Sequence, residues 1–411
     1  MDSLDLHWPC ICSERAAMKI AFSTGRPAHV VLPANLLAQR GIDVTIYSAA
    51  YRDRFRQLAP AVHLRWVPQW VASIHFLIGI QLPRAAQRAD TAVYDKLVAL
   101  RMAEFDIFWG WASGCLASGR AARRHGARFL LDRACPHVDV QQSWVRTECE
   151  RLGVAYRPEP RWFRDRQLAE YAEADIILVP SEYSRRSFPP SMREKILVAP
   201  LFGRTAGPVR AISQTAPIQA ATGTNRPFTF GTVGGQPLRK GFLYLLQAWE
   251  RLELPNARLL LRTDAPLHRF PALGRLLQRL PNVEVVGYCD NMSEFYRRCD
   301  AFVLPTIDDG FGMALLEAIG NRLPAIATSH CGAAELFTPE LDLLVVPPQD
   351  FEALAEAMQR VYASSDLRDQ LRCHAQAALQ RIEGTGTYAL YSQALDRILD
   401  QIARANAKAC D

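Results

Sequence analysis

Lysine is scarce in this chain of 411 residues: of 48 basic residues only five are Lys (Lys19, Lys96, Lys195, Lys240 and Lys408), and the rest are Arg. A genome biased toward Arg codons accounts for this most simply. The net charge of +6 is modest and fits an anionic ligand, with an anionic membrane surface as the alternative. No compact basic stripe with interleaved aromatics occurs, so no nucleic-acid partner is expected. The chain also lacks any run of about 18 to 20 uninterrupted apolar residues, the length needed to cross a bilayer. Residues 1–17 lack a basic stretch followed by an apolar one, so they do not read as a secretory signal. They carry no period either, and are expected to be a disordered or non-native extension, with Met18 as the working start.

Other absences narrow the chemistry. The ten cysteines are scattered, with no Cys-x-x-Cys pair, which points to a reducing cytoplasm and against a zinc site. Neither Gly-x-Gly-x-x-Gly nor Gly-x4-Gly-Lys-Ser/Thr occurs, so a dinucleotide oxidoreductase and a P-loop enzyme lose their main signatures. No Asp-x-Asp is present, and no metal on a donor phosphate is expected.

What the chain has is a long alternation of short apolar runs with helix-like segments. In the first half the runs lie at 18–22, 43–47, 106–109, 128–131, 175–179 and 195–198. In the second they lie at 228–231, 258–261, 283–286, 301–304, 325–327 and 343–346. Continuous apolar runs of this length suit strands buried on both faces of a parallel sheet. Alternation with helices gives an α/β, doubly wound architecture. With 49% hydrophobic and 22% charged residues, the chain has material for more than one core. A pause rich in Gly, Pro, Thr, Ser, Ala and Gln at 203–227 marks a linker between a domain at 18–202 and another at 228–387. The end, 388–411, reads as a helix with Leu390, Ala394, Leu395, Ile398 and Ile402 on one face.

Two stretches of the second half carry chemistry. Ala301 to Gly320 reads as a strand, a loop and a helix opening near Gly312. Gly310 and Gly312 permit close backbone approach to a ligand, and free amides at a helix start suit a diphosphate. Glu317 is the one carboxylate of an otherwise apolar helix and needs partners, which a sugar diol would supply. A backbone or Arg partner is the plainer alternative. In the second stretch, Phe228 to Gly241, a strand runs into Gly234 and Gly235, then Arg239 and Lys240. A compact ammonium beside such a turn suits a leaving diphosphate, and a solvated loop charge is the alternative.

Together these segments resemble the retaining glycosyltransferases of family 4. The family's acidic-x7-Glu motif is similar to Asp309-Gly-Phe-Gly-Met-Ala-Leu-Leu-Glu317, and its Arg-x4-Lys-Gly to Gly235-Gln-Pro-Leu-Arg-Lys240-Gly241. Pro324 to Glu335 and Ala174 to Ser184 resemble two further family stretches. The resemblance implies the GT-B fold, two Rossmann-like parallel-sheet domains facing a central cleft, with the C-terminal helix packing back on the first domain. It implies that Glu317 holds the donor's ribose, Asp309 the donor sugar and Lys240 the diphosphate. The amides of Gly310, Phe311, Gly312 and Met313 would face sugar and phosphate. Two positions depart from the family: the first acid is Asp rather than Glu, and the family's Arg falls on Gly235, with Arg239 as a substitute beside Lys240.

The first half is less legible. Asp132 to His137 follows a strand end, where ligands gather in open α/β sheets. The stretch resembles a family element in which His137 would contact donor sugar or acceptor, against a His bonded to backbone. His29, in a loop after the first strand, reads the same way. Trp66 to Leu82 holds no charged residue and is either a buried loop and helix or an interfacial segment touching headgroups. The expectation is therefore a cytoplasmic, metal-independent retaining enzyme, soluble or peripheral to the inner membrane face. It needs no cofactor beyond a nucleotide-diphosphate-sugar donor, and passes the sugar to a glycan, lipid-linked or small-molecule acceptor. A nucleotide-sugar epimerase on the same fold and a non-catalytic relative are the alternatives.

Overall fold

The computed structural model describes residues 18–25, 30–50, 55, 57–69, 84–201, 226–287, 289, 291–384, 392–400 and 402. The extension 1–17, His29 and most of 203–227 and 66–82 lie outside the described residues. By contacts the chain divides into two compact units. The first comprises Met1–Arg133, Glu159–Leu178 and Leu395–Asp411; the second comprises Ala134–Pro158 and Val179–Ala394.

The strands are β1 (Lys19–Thr24), β2 (Asp43–Ser48), β3 (His63–Trp66), β4 (Ile107–Trp111), β5 (Arg128–Asp132), β6 (Ile176–Val179), β7 (Ile196–Val198), β8 (Phe228–Val233), β9 (Ala257–Arg262), β10 (Val283–Val286), β11 (Ala301–Leu304), β12 (Ala325–Thr328) and β13 (Leu344–Val346). They form a seven-stranded sheet in the order β3-β2-β1-β4-β5-β6-β7 and a six-stranded one in the order β10-β9-β8-β11-β12-β13. Pairings such as β1 with β2 and β4, and β8 with β9 and β11, are parallel. Each order runs outward in one direction from β1 or β8 and then reverses, the doubly wound topology expected of two Rossmann-like domains. All twelve expected runs are strands. β3 is the addition: it is short, mostly exposed and on an edge, so it never shows the continuous apolar run of a strand buried on both faces.

The second sheet shows why the pattern was readable. Leu259, Leu261, Val303 and Ile326 point to one face, against the helices Phe242–Leu252, Pro271–Arg279 and Phe351–Ala363. The alternate residues Leu260, Phe302, Leu304, Ala325 and Ala327 point to the other, against Met292–Arg297, Met313–Gly320 and Ser365–Gly384. Every position of such a strand is apolar because both sides are interior. Residues 392–400 are helical, and of these the first unit buries Leu395, Ile398 and Leu399. Asp396 pairs with Arg40 at 3.4 Å.

The first unit also buries carboxylates. Asp95 accepts from the amides of Ala117 and Ser118 at the start of the helix Leu116–Arg124, and pairs with Arg166. Asp132, at the end of β5, receives the Trp109 indole N–H at 3.3 Å. Burial pushes its carboxyl up to about 7, the indole opposing this only in part. Because the folded value lies above that of an unfolded Asp, near 3.9, the native state holds the extra proton between the two. Its contribution to stability is full below about pH 4 and is lost as pH rises through about 7. The expected outcome is that Asp132→Asn flattens the fall in stability between pH 4.5 and 7, by up to about 1.4 kcal/mol per pH unit. Urea denaturation at a series of pH values checks it; an unchanged slope would remove Asp132 as its source.

Candidate functional site: the loops at the carboxyl ends of β8 and β11

The order of the second sheet reverses between β8 and β11, and ligands of open α/β sheets sit outside the carboxyl ends at such a point. After β8 the chain passes Gly234 and turns through Arg239 and Lys240. A side chain at Gly234 would place its Cβ 2.5 Å from Cγ of Lys240, so glycine there leaves the lysine stem its path. Gly235 faces open space. The turn is pinned to the neighbouring loop by the Arg239 carbonyl, which accepts from Ile307 N at 3.0 Å and Thr306 Oγ1 at 2.9 Å.

Lys240 and Asp309 form an ion pair and Arg239 lies 3.7 Å from the same carboxylate. Burial alone would raise the Asp309 carboxyl, but Lys240 and then Arg239 outweigh it and hold it below the usual carboxylate range. Burial likewise opposes the charge on Arg239, and Asp309, Cys135 and Asp308 together more than offset it. Both partners therefore stay ionised at neutral pH. Beyond Asp309, Gly312 takes φ +90°, and a Cβ there would lie 2.4 Å from Cys331 Sγ. This left-handed residue turns the loop into the helix Met313–Gly320, whose start carries no side-chain cap. Its first amides are left for an outside acceptor.

The expected residues divide by what they touch. Arg239, Lys240 and Asp309 are brought together. The Gly310 carbonyl accepts from Ser181 Oγ at 2.7 Å and Ser184 Oγ at 3.2 Å. The Phe311 ring is buried in the core and its carbonyl accepts from Ala333 N and from Cys331 Sγ at 3.3 Å, while Met313 is half-buried at the helix start. Glu317 is half-buried and accepts from Tyr296 Oη at 2.8 Å. Burial and then Glu317 raise that phenol well above its ordinary value, so it remains a donor. His137 caps the helix Val138–Leu152: its Nδ1 accepts from Asp139 N at 3.3 Å, and its ring packs edge-on against Phe188.

Three residues of this region were not singled out from the sequence. Asp308, fully buried, accepts from Tyr183 Oη at 2.8 Å and Gln141 Nε2 at 3.2 Å. Burial raises its carboxyl, with Arg239 opposing. Tyr183 stacks on the imidazole of His330, ring centroids 4.9 Å apart. The doublet Asp308-Asp309 was visible, but nothing local showed that the first acid faces a phenol rather than the cations.

Two parallel sheets, each reversing direction beside its first strand, with a strand–loop–helix unit presenting cations and uncapped amides, define the GT-B class. Solved structures agree. A sucrose-phosphate synthase from Thermosynechococcus elongatus superposes with a TM-score of 0.68 at 20% identity, over 94% of this chain and 100% of that one. HepE from Anabaena, in complex with UDP and glucose, superposes at 0.61 with 15% identity, over 93% and 100%. Residues 227–364 match the model of the family described as glycosyl transferases, group 1. The chain is 28% identical over 153 residues to the capsular polysaccharide biosynthesis glycosyltransferase CapM of Staphylococcus aureus, a match spanning 36% of this chain and 40% of that relative's length.

Tyr183→Phe tests the buried doublet. It removes one of the donors to a fully buried carboxylate, and the expected loss of stability is ~1–3 kcal/mol. Thermal or urea unfolding checks it; a variant as stable as the parent would show that the Asp308 bond contributes nothing net.

Proposed function

We propose that this chain is a retaining, metal-independent glycosyltransferase that takes a sugar from a nucleoside-diphosphate-sugar and passes it to a glycan or lipid-linked acceptor. The observation that carries the reading is the Lys240–Asp309 pair beside the uncapped helix start, at the strand-order reversal of the second unit. Breaking the bond between the anomeric carbon and the diphosphate leaves negative charge on the phosphate. A fixed cation and aligned amides aimed at that charge stabilise the transition state more than the bound donor. A diphosphate can replace Asp309 as the anion facing Lys240, freeing the carboxylate for hydroxyls of the sugar. Glu317, already holding a phenolic proton on one oxygen, keeps acceptor capacity for the ribose.

Retention, the absence of a donor metal and the acceptor side of the first unit follow the family likeness and the missing Asp-x-Asp. Among relatives, the name of CapM links it to capsular polysaccharide, and HepE was solved with UDP and glucose. Those names support a uridine nucleotide-sugar as the first donor to try and a polysaccharide precursor as the product class. Among the described residues no helix is long and apolar enough to cross a membrane, so a lipid-linked acceptor would be met at the membrane surface.

The residues separate by the step they serve. Glu317→Gln should weaken donor binding about tenfold, as expected for loss of a charge-assisted hydrogen bond. Lys240→Ala should lower turnover more than donor affinity, because the phosphate gains charge only as the bond breaks. Asp309→Asn should impair transfer while leaving free nucleotide binding nearly intact. Calorimetric binding of UDP, UDP-glucose, UDP-N-acetylglucosamine, GDP and GDP-mannose, with release of the nucleoside diphosphate as the rate, checks all three. Equal behaviour of the parent and the three variants would remove the site and leave the non-catalytic reading. Isomerisation of a donor with no acceptor present would favour the epimerase.

A further inference from the structure

His330 lies just past the carboxyl end of β12, the strand next to β11. Its carbonyl accepts from Asp309 N at 3.0 Å, and its Nδ1 sits 2.9 Å from the Ile307 carbonyl. A carbonyl only accepts, so Nδ1 carries the proton and Nε2 is left as the basic nitrogen of the neutral ring. The Tyr183 ring stacks on the imidazole at 4.9 Å and 30°, and the Trp144 ring lies against it at 5.2 Å and 59°. Tyr183 is itself held by Asp308, so one wall of this clamp is tied to the residue before Asp309.

With Nδ1 engaged and rings packed against it, the half-exposed imidazole presents the edge that carries Nε2. Among the described residues that nitrogen has no hydrogen-bond partner. A ring so held, its tautomer set and its main chain bonded to Asp309, is organised to accept a hydrogen bond from a ligand beside that carboxylate. Packing alone would be met as well by a side chain without the second nitrogen.

Resting on the donor-site reading above, we propose that His330 is a contact for the transferred sugar: Nε2 accepts a hydrogen bond from a sugar hydroxyl, while Asp309 takes another. It would then help determine which sugar the site accepts, since a sugar with no hydroxyl at that place leaves the nitrogen unpaired.

Two substitutions separate this from a tethering role. His330→Asn keeps an amide near the place of Nδ1, able to donate to the Ile307 carbonyl, and deletes the distal acceptor. His330→Gln puts an amide near the place of Nε2 and gives up the tether. Calorimetry with UDP-glucose, UDP-N-acetylglucosamine and GDP-mannose, each beside UDP or GDP, gives the affinity due to the sugar. The expected result is that His330→Asn loses about three- to tenfold of that sugar-dependent affinity, that His330→Gln keeps part of it, and that free UDP or GDP binds both within about twofold of the parent. Parent-like sugar-dependent affinity in His330→Asn, with loss in His330→Gln, would overturn the proposal and leave His330 a loop tether. Loss of free nucleotide binding in both variants would also overturn it, as a structural role predicts. A parent that binds none of the nucleotide-sugars would instead overturn the donor reading, and this inference with it.

Discussion

The ion pair between Lys240 and Asp309 is the interaction on which the rest of the site depends. Its two members come from loops after different strands, so the pair fixes one loop against the other as well as cancelling two buried charges. Ionised groups out of water are tolerated only when each has a partner of opposite sign in good geometry. Arg239 supplies the surplus: it leans on Asp309 and donates to the Asp308 carbonyl. The cluster is therefore net positive around one carboxylate.

The neighbouring acid shows how a single step along the chain changes the chemistry. Asp309 faces cations and is held ionised; Asp308 faces a phenol and an amide and is pushed toward the neutral form. Both are equally acidic as free side chains. The difference comes from the loop, which points successive residues to opposite sides, one toward Lys240 and the other toward the aromatic group of Tyr183, His330 and Trp144. This aromatic group and the Ser181 and Ser184 hydroxyls on Gly310 hold the loop from its other side.

Much of this architecture could be read from the amino acids. Strands buried on both faces must be apolar throughout, and most of the thirteen were visible for that reason; the half-exposed edge strand β10 was visible through Val283, Val285 and Val286. β3 was not, because its exposed edge position allows His63 and Arg65. In the candidate site, motif spacing marked Lys240, Asp309 and Glu317, because they lie on local turns and one helix. Tyr183 and His330 could not be found that way. Tyr183 meets Asp308 across 125 positions of chain, and His330 is defined by a ring clamp that only folding assembles. Tyr296, 21 positions before Glu317, looked like one more core aromatic until its hydroxyl was seen to end on the carboxylate.

The path of the chain through the first unit has a kinetic consequence. That unit is assembled from Met1–Arg133, Glu159–Leu178 and the terminal Leu395–Asp411, the last bringing the buried side chains of Leu395, Ile398 and Leu399. A nascent polypeptide leaves the ribosome from its amino end and usually folds its first domain first. Here the first unit waits for Leu395–Asp411, a segment made long after its other two, and closing so long a loop is an entropic cost met late. Until that segment is made, the unit's apolar surface stays open to chaperones and to aggregation.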